Sequence, residues 1–212
     1  MESAVLTKSY SAPEINRREI LRYAGVAGDN AAKDMLDLME ECISEAEKAK
    51  VFSYKVSYRI LPVKIIESDE AVPEIDFTVL KVTSRDLAKN LSGCDSCILM
   101  TATVGYAIDR LIEKYNRLNP AKALFMQALG AERVEALCDA FCSDDTVLSD
   151  FTEGGQKLSL RPRFSPGYGD VSLSVQKDFL AVCNAGKNLG ITLGESLLMS
   201  PSKSVTAFAG IK

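Results

Sequence analysis

Residues 31–60 read AAKDMLDLMEECISEAEKAK followed by VFSYKVSYRI, and the hydrophobic period changes between the two halves. In the first half Met35, Leu38, Met39, Cys42, Ile43 and Ala46 recur at three- and four-residue spacing, with charges between them. That spacing predicts a helix over 31–50 with one buried face. In the second half Phe52, Tyr54, Val56, Tyr58 and Ile60 alternate with Ser53, Lys55, Ser57 and Arg59. Strict alternation predicts a strand with one exposed face. Pro62 interrupts it, Val63 and Ile65 resume it, 67–72 reads as a turn, and Ile75 to Val82 reads as a second strand. Too few residues intervene for a crossover helix, so the pairing is expected to be antiparallel.

The reading extends in both directions from there. Residues 1–14 are polar and are expected to form a loose arm. Pro13 suits a helix first turn, and Ile15 to Tyr23 is expected to be a short helix ended by Gly25. Downstream, Ser84 is placed to cap a helix through Leu87 and Leu91 that Gly93 stops. Cys97 to Val104, CILMTATV, is a near-continuous apolar run and suits a central strand buried on both faces. A helix with Ile108, Leu111, Ile112 and Tyr115 follows Gly105, and another spans Pro120 to Phe141 with Gly130 as a break or kink. Leu158 to Arg163 reads as a strand, Phe164 to Asp170 as a loop and Val175 to Ala185 as a helix. Ile191 to Leu193 and Ser204 to Ala209 read as short strands. The expected class is α+β, with an arm over 1–14 and one domain over 15–212.

Composition narrows the chemistry. The 212 residues are 47% hydrophobic and 25% charged, with net charge -4. A chain of this size can build its own core, and its acidic balance argues against a nucleic-acid binder. It contains no histidine, which removes Ser-His-Asp and Cys-His nucleophiles and imidazole-dependent zinc sites. No apolar run reaches about 18 residues, so no membrane span is expected. The N-terminal MESAVLTKSY lacks a signal-peptide pattern, so a cytoplasmic protein with reduced thiols is expected.

The motifs give few sites. Gly186-Lys187 is followed by Asn188, so no P-loop exists, and no GxGxxG occurs. Cys94-x-x-Cys97 is at most half a zinc site, and small buried hydrophobes are the plainer reading. Glu132, Glu135 and Asp139 share a predicted helix. A solvated face is the plain reading, although Glu135 and Asp139 sit four apart as like charges. The loop Arg163-Phe164-Ser165-Pro166-Gly167-Tyr168-Gly169-Asp170 is the most informative stretch. Pro-Gly makes a tight turn where glycine lets a ligand approach the main chain. Arg163 offers a planar fork for a carboxylate, and Tyr168 a flat face with a hydroxyl. A surface turn bearing an arginine and a tyrosine accounts for the same residues without a ligand.

Read together, RFSPGYGD (163–170) and LGESLLMSPSKSVTAFAGI (193–211) resemble the activation domain of cobalamin-dependent methionine synthase. In that family an R-x-x-P-G-Y loop precedes an E-S-x-x-M-x-P-x-x-S-V segment. Leu91 to Gly105 is similar to the family's buried strand, and Ala128 to Phe141 to its helix bearing a Glu-Ala pair. EINRREILRYAG (14–25) fits small stand-alone members. The resemblance implies a twisted, mainly antiparallel sheet with flanking helices. It implies S-adenosylmethionine (AdoMet) as ligand, with Arg163 on its carboxylate and the backbone of Ser165 on its amino-acid part. Gly167 would allow close approach, Tyr168 would lie beside the sulfonium, and Glu135 near the positive charge. No catalytic residue and no protein-bound metal are implied, and the cobalamin belongs to a partner. That partner would be a cobalamin-binding methionine synthase module or another corrinoid protein, with flavodoxin or ferredoxin as electron donor. The implied role is a stand-alone reactivation subunit. The alternative is a non-catalytic interaction or sensor protein that no longer binds AdoMet, because the family's N-terminal aspartate, set in a Trp-containing segment, has no assigned counterpart in this Trp-free chain.

Overall fold

The computed structural model describes residues 4–26, 32–67, 71–148 and 158–212. The expected change of period is realised. α2 (Lys33–Lys48) buries Met39, Cys42, Ile43 and Ala46 along one face, and the chain then enters β2 (Lys55–Pro62). The expected arm contains β1 (Leu6–Ser9), an edge strand paired antiparallel with β2. The expected central strand is β6 (Ser96–Thr103), buried from Cys97 onward. It lies between β2 and β9 (Ser204–Ile211), antiparallel to both. The main sheet is therefore four-stranded, in the order β1-β2-β6-β9, and the class is α+β as expected.

Both faces of this sheet are covered. On one face Val56, Tyr58, Ile98, Met100 and Ala207 pack against helices α1 (Arg17–Tyr23), α2, α4 (Ala107–Leu118) and α5 (Pro120–Cys142). On the other, Leu61, Leu99 and Phe208 pack against a small sheet, α3 (Arg85–Asn90) and α6 (Val175–Val182). The ring of Phe208 stacks on Phe77 and meets the edge of Phe179. β2 is thus not exposed on one face as its alternation suggested. Ser57 is fully buried, its hydroxyl donating to the Cys183 carbonyl and accepting from Asn188 of α7 (Ala185–Leu189).

Several elements differ from expectation for identifiable reasons. Pro13 does not open α1. Asn16 does, accepting from the Glu19 N–H. The expected strand Ile75–Val82 is a hairpin of β4 (Glu74–Asp76) and β5 (Lys81–Thr83), joined to β3 (Lys64–Ile66) in a three-stranded antiparallel sheet. Asp76 turns it by accepting from the Thr78 N–H at 2.6 Å. Gly130 does not break α5, which is continuous over 23 residues. A Cβ there would stand 3.0 Å from the Lys203 stem and 3.2 Å from Ile108, so glycine serves close packing. The expected helix Val175–Ala185 stops at Val182 and α7 restarts after Asn184, whose φ is 49°. β7 (Thr192–Leu193) and β8 (Met199–Ser200) form a hairpin ahead of β9. Part of the turn expected at 67–72 lies outside the described residues.

Candidate functional site

The expected strand Leu158–Arg163 forms an irregular edge beside β9, with bridges Leu160↔Ile211 and Phe164↔Phe208. Three residues (Arg161, Pro162, Arg163) lie between these bridges against two (Ala209, Gly210) on β9. That one-residue excess is a bulge. In a regular strand residues 160 and 164 would share a face. Here Leu160 packs with the helical face while Phe164 packs with the opposite core. Arg163 is thereby turned towards α5.

At α5 the Arg163 Nη2 is 2.9 Å from the Glu135 carboxylate and 3.0 Å from that of Asp139. The like charges four residues apart on α5 are thus bridged by a cation from a loop. The Arg163 Nη1 is buried and has no hydrogen-bond partner among the described residues. It is a spare donor beside the ion pair, the kind of group that a ligand carboxylate would satisfy.

The loop beyond Arg163 is rigidly built. The Ser165 carbonyl accepts from the Tyr168 N–H at 3.1 Å, which closes a turn with Pro166 and Gly167 at its centre. Gly167 has φ 91°, the conformation that the second central residue of this turn requires. Asp170 clamps the far end of the loop to α3, accepting from the Ser84 hydroxyl and the Arg85 N–H. These bonds hold the Asp170 carboxyl below its ordinary range. Tyr168 is 69% exposed. The structure therefore brings Arg163 and Glu135 into contact, spends the Ser165 carbonyl within the turn, and leaves Tyr168 in solvent.

A groove of about 590 Å³ runs along α5 beside this pair. One wall is α5 itself, with Glu132, Glu135, Ala136 and Asp139. The other is the segment before α1 and α1 itself, with Pro13, Glu14, Asn16, Glu19 and Tyr23. Burial, and then the facing Glu135 carboxylate, raise the Tyr23 phenol above its ordinary pKa. The groove is thus acidic, which suits a cationic ligand centre, with the Arg163 fork at its side. The expectation of a solvated acidic face on α5 fails at Glu132, which is 2% exposed and ion-paired with Arg133. Asp139, Glu14 and the α1 wall line the groove without having been singled out as ligand-binding candidates in the sequence. Only the i,i+4 spacing of Glu135 and Asp139 pointed to any of them.

The C-terminal motif lies elsewhere. Ser202 donates to the Asp109 carboxylate from its N–H and its hydroxyl, and the Tyr106 hydroxyl donates to the Ser200 carbonyl. This segment ties the approach to β9 to the start of α4. The six cysteines are free thiols, buried except for the half-buried Cys142. Burial raises Cys42 and Cys183 to about 12 and Cys142 to about 11. Among the described residues, no helix is long and apolar enough to cross a membrane.

No known family's sequence profile and no curated protein matches the chain. Among solved structures it is similar to the crystal structure of the MetH reactivation domain bound to AdoHcy. The TM-score is 0.68 and the identity 12%, over 99% of this chain and 78% of that one. The chain has the α+β fold of that reactivation domain.

Proposed function

We propose that this chain binds AdoMet in the acidic groove beside α5 and serves as a stand-alone reactivation subunit for a separate cobalamin-binding methyltransferase of methionine synthesis. The observation that carries the reading is the Arg163–Glu135 pair, with the spare Nη1 donor, set at the edge of an acidic groove in this fold. A sulfonium and an α-ammonium are attracted by the groove carboxylates, while an α-carboxylate is met by the Arg163 fork. Gly167, in the turn that follows Arg163, has no Cβ and would let the ligand approach the main chain. The ligand supplies its methyl group. With one electron from a flavodoxin- or ferredoxin-type donor, cob(II)alamin on the partner becomes methylcobalamin and AdoHcy is released. No side chain here needs to move a proton, in keeping with the absence of histidine.

One observation favours the alternative of a corrinoid-protein sensor that does not take AdoMet: Glu135 and Asp139 already occupy Arg163. Calorimetric titration separates the two readings. Saturable AdoMet binding is expected in the wild type. Arg163→Ala removes a charge-assisted contact of about 1.5–3 kcal/mol, so binding weakens roughly 10- to 100-fold. The absence of wild-type binding, alone and with a corrinoid protein added, would contradict AdoMet as ligand and favour the alternative.

A further inference from the structure

Arg133 is the largest fully buried side chain, 1% exposed, and neighbouring Glu132 is 2% exposed. Among the described residues, neither makes a hydrogen bond or ion pair with the loop that carries Arg163. Arg133 clasps Glu132 with both ends of its fork, Nε and Nη2 each 2.5 Å from a carboxylate oxygen. Its remaining donors reach the N-terminal segment, Nη1 to the Pro13 carbonyl and Nη2 to the Glu14 carbonyl, both at 2.6 Å. Glu132 returns the contact by accepting from the Asn16 N–H at 3.0 Å. Asn16 then caps α1 through its own side chain. The pair thus pins the backbone at three of four successive residues and fixes the helix that follows.

That segment divides two cavities. Ile15 lines an apolar cleft of about 620 Å³, Glu14 and Asn16 line the acidic groove, and Pro13 touches both. The wall of the groove that faces α5 therefore consists of residues whose position the pair sets: Glu14 and Asn16 directly, Glu19 and Tyr23 through α1. A buried ion pair is a weak source of stability, since apolar residues of similar size often serve as well. Its geometry is better suited to holding backbone carbonyls in one place.

We infer that the Glu132–Arg133 pair is a positioning element for the groove, fixing the 13–16 segment and α1 at the separation from α5 that the ligand requires. The inference rests on the groove being the AdoMet site. The experiment is a titration with AdoMet of the wild type and of the double variant Glu132→Leu/Arg133→Met, with thermal unfolding of both. The double variant leaves no buried charge unpaired and is expected to melt within a few degrees of the wild type. Its affinity is expected to fall at least about 10-fold and its Glu19 amide, capped by Asn16, to exchange faster than in the wild type, because the segment has lost its register. Lower affinity with unchanged exchange would be the direct loss of the Glu132 carboxylate from the groove wall and would overturn the inference. A purely structural pair would leave affinity unchanged once stability is preserved, and wild-type affinity in a stable double variant overturns the inference alone. No binding by the wild type, alone and with a corrinoid protein added, overturns the groove assignment and the inference with it. If the double variant does not fold, exchange of the Asn16 amide in the wild type decides. Slowing of about 10-fold or more on addition of AdoHcy supports positioning, and an unchanged rate overturns it.

Discussion

Arg163 bridges two carboxylates that would otherwise repel each other, and it keeps one buried donor unused. Glu135 and Arg163 were both legible in the sequence, through the family-like motifs around them. Glu132 was not. Helical periodicity puts it with Glu135 and Asp139, but its burial depends on the neighbouring Arg133 and on the Asn16 N–H, 116 residues away, which no local pattern displays. Asp144 is a second residue whose role is long-range. Burial raises its pKa, but hydrogen bonds from Lys8, Thr146 and Tyr10 outweigh that and hold the carboxyl far below its ordinary range. A carboxyl with a depressed folded pKa contributes stability above its unfolded pKa and loses it as pH falls. Asp144→Asn is therefore expected to lower stability by about 1 kcal/mol at neutral pH and to leave less to lose below about pH 4. Melting temperatures from pH 7 down to pH 3 check this: the gap between wild type and variant should close towards acid.

The elements carry the site through two departures from regularity. One is the bulge at Arg161–Arg163, which turns Arg163 to α5 and Phe164 to the opposite core. Pro162, inside a run read as a strand, was its signal, since proline in a sheet belongs at an edge or a bulge. The other is the close approach of that edge to Gly210 on β9. A Cβ there would meet Cys94 Sγ at 2.7 Å, Leu91 Cδ2 at 2.9 Å and Arg161 at 3.3 Å. The two nearest belong to buried side chains with little room to yield. Gly210→Ala is expected to cost about 1–3 kcal/mol through overpacking, read as a lower denaturation midpoint at unchanged slope. An unchanged midpoint would mean that Cys94 and Leu91 yield to the added methyl, and would contradict the close packing at Gly210. The hairpin β4–β5 was missed for a comparable reason: the reversal depends on the Asp76 side chain, hidden within an apolar run.

At the scale of the molecule, the sheet collects the site from distant parts of the chain. β6 was legible because a strand covered on both faces is apolar throughout. The cover on the second face of β2 was not, because Ser57 is buried by hydrogen bonds to α7 and its neighbours rather than by apolar character. The α+β class and the antiparallel sheet followed from the change of period at residue 50, while the groove did not. Its walls are α5 and the segment ahead of α1, which only the folded chain brings together. The proposed ligand site is this groove, rather than the larger apolar cleft beyond Pro13. Backbone amide NMR during titration with AdoHcy tests it most directly. The expected result is saturable shifts at Glu135, Asp139, Arg163, Gly167 and Tyr168, with Val51 to Tyr54 in the apolar cleft undisturbed. Shifts centred on Val51 to Tyr54, or none at saturating ligand, would contradict the assignment.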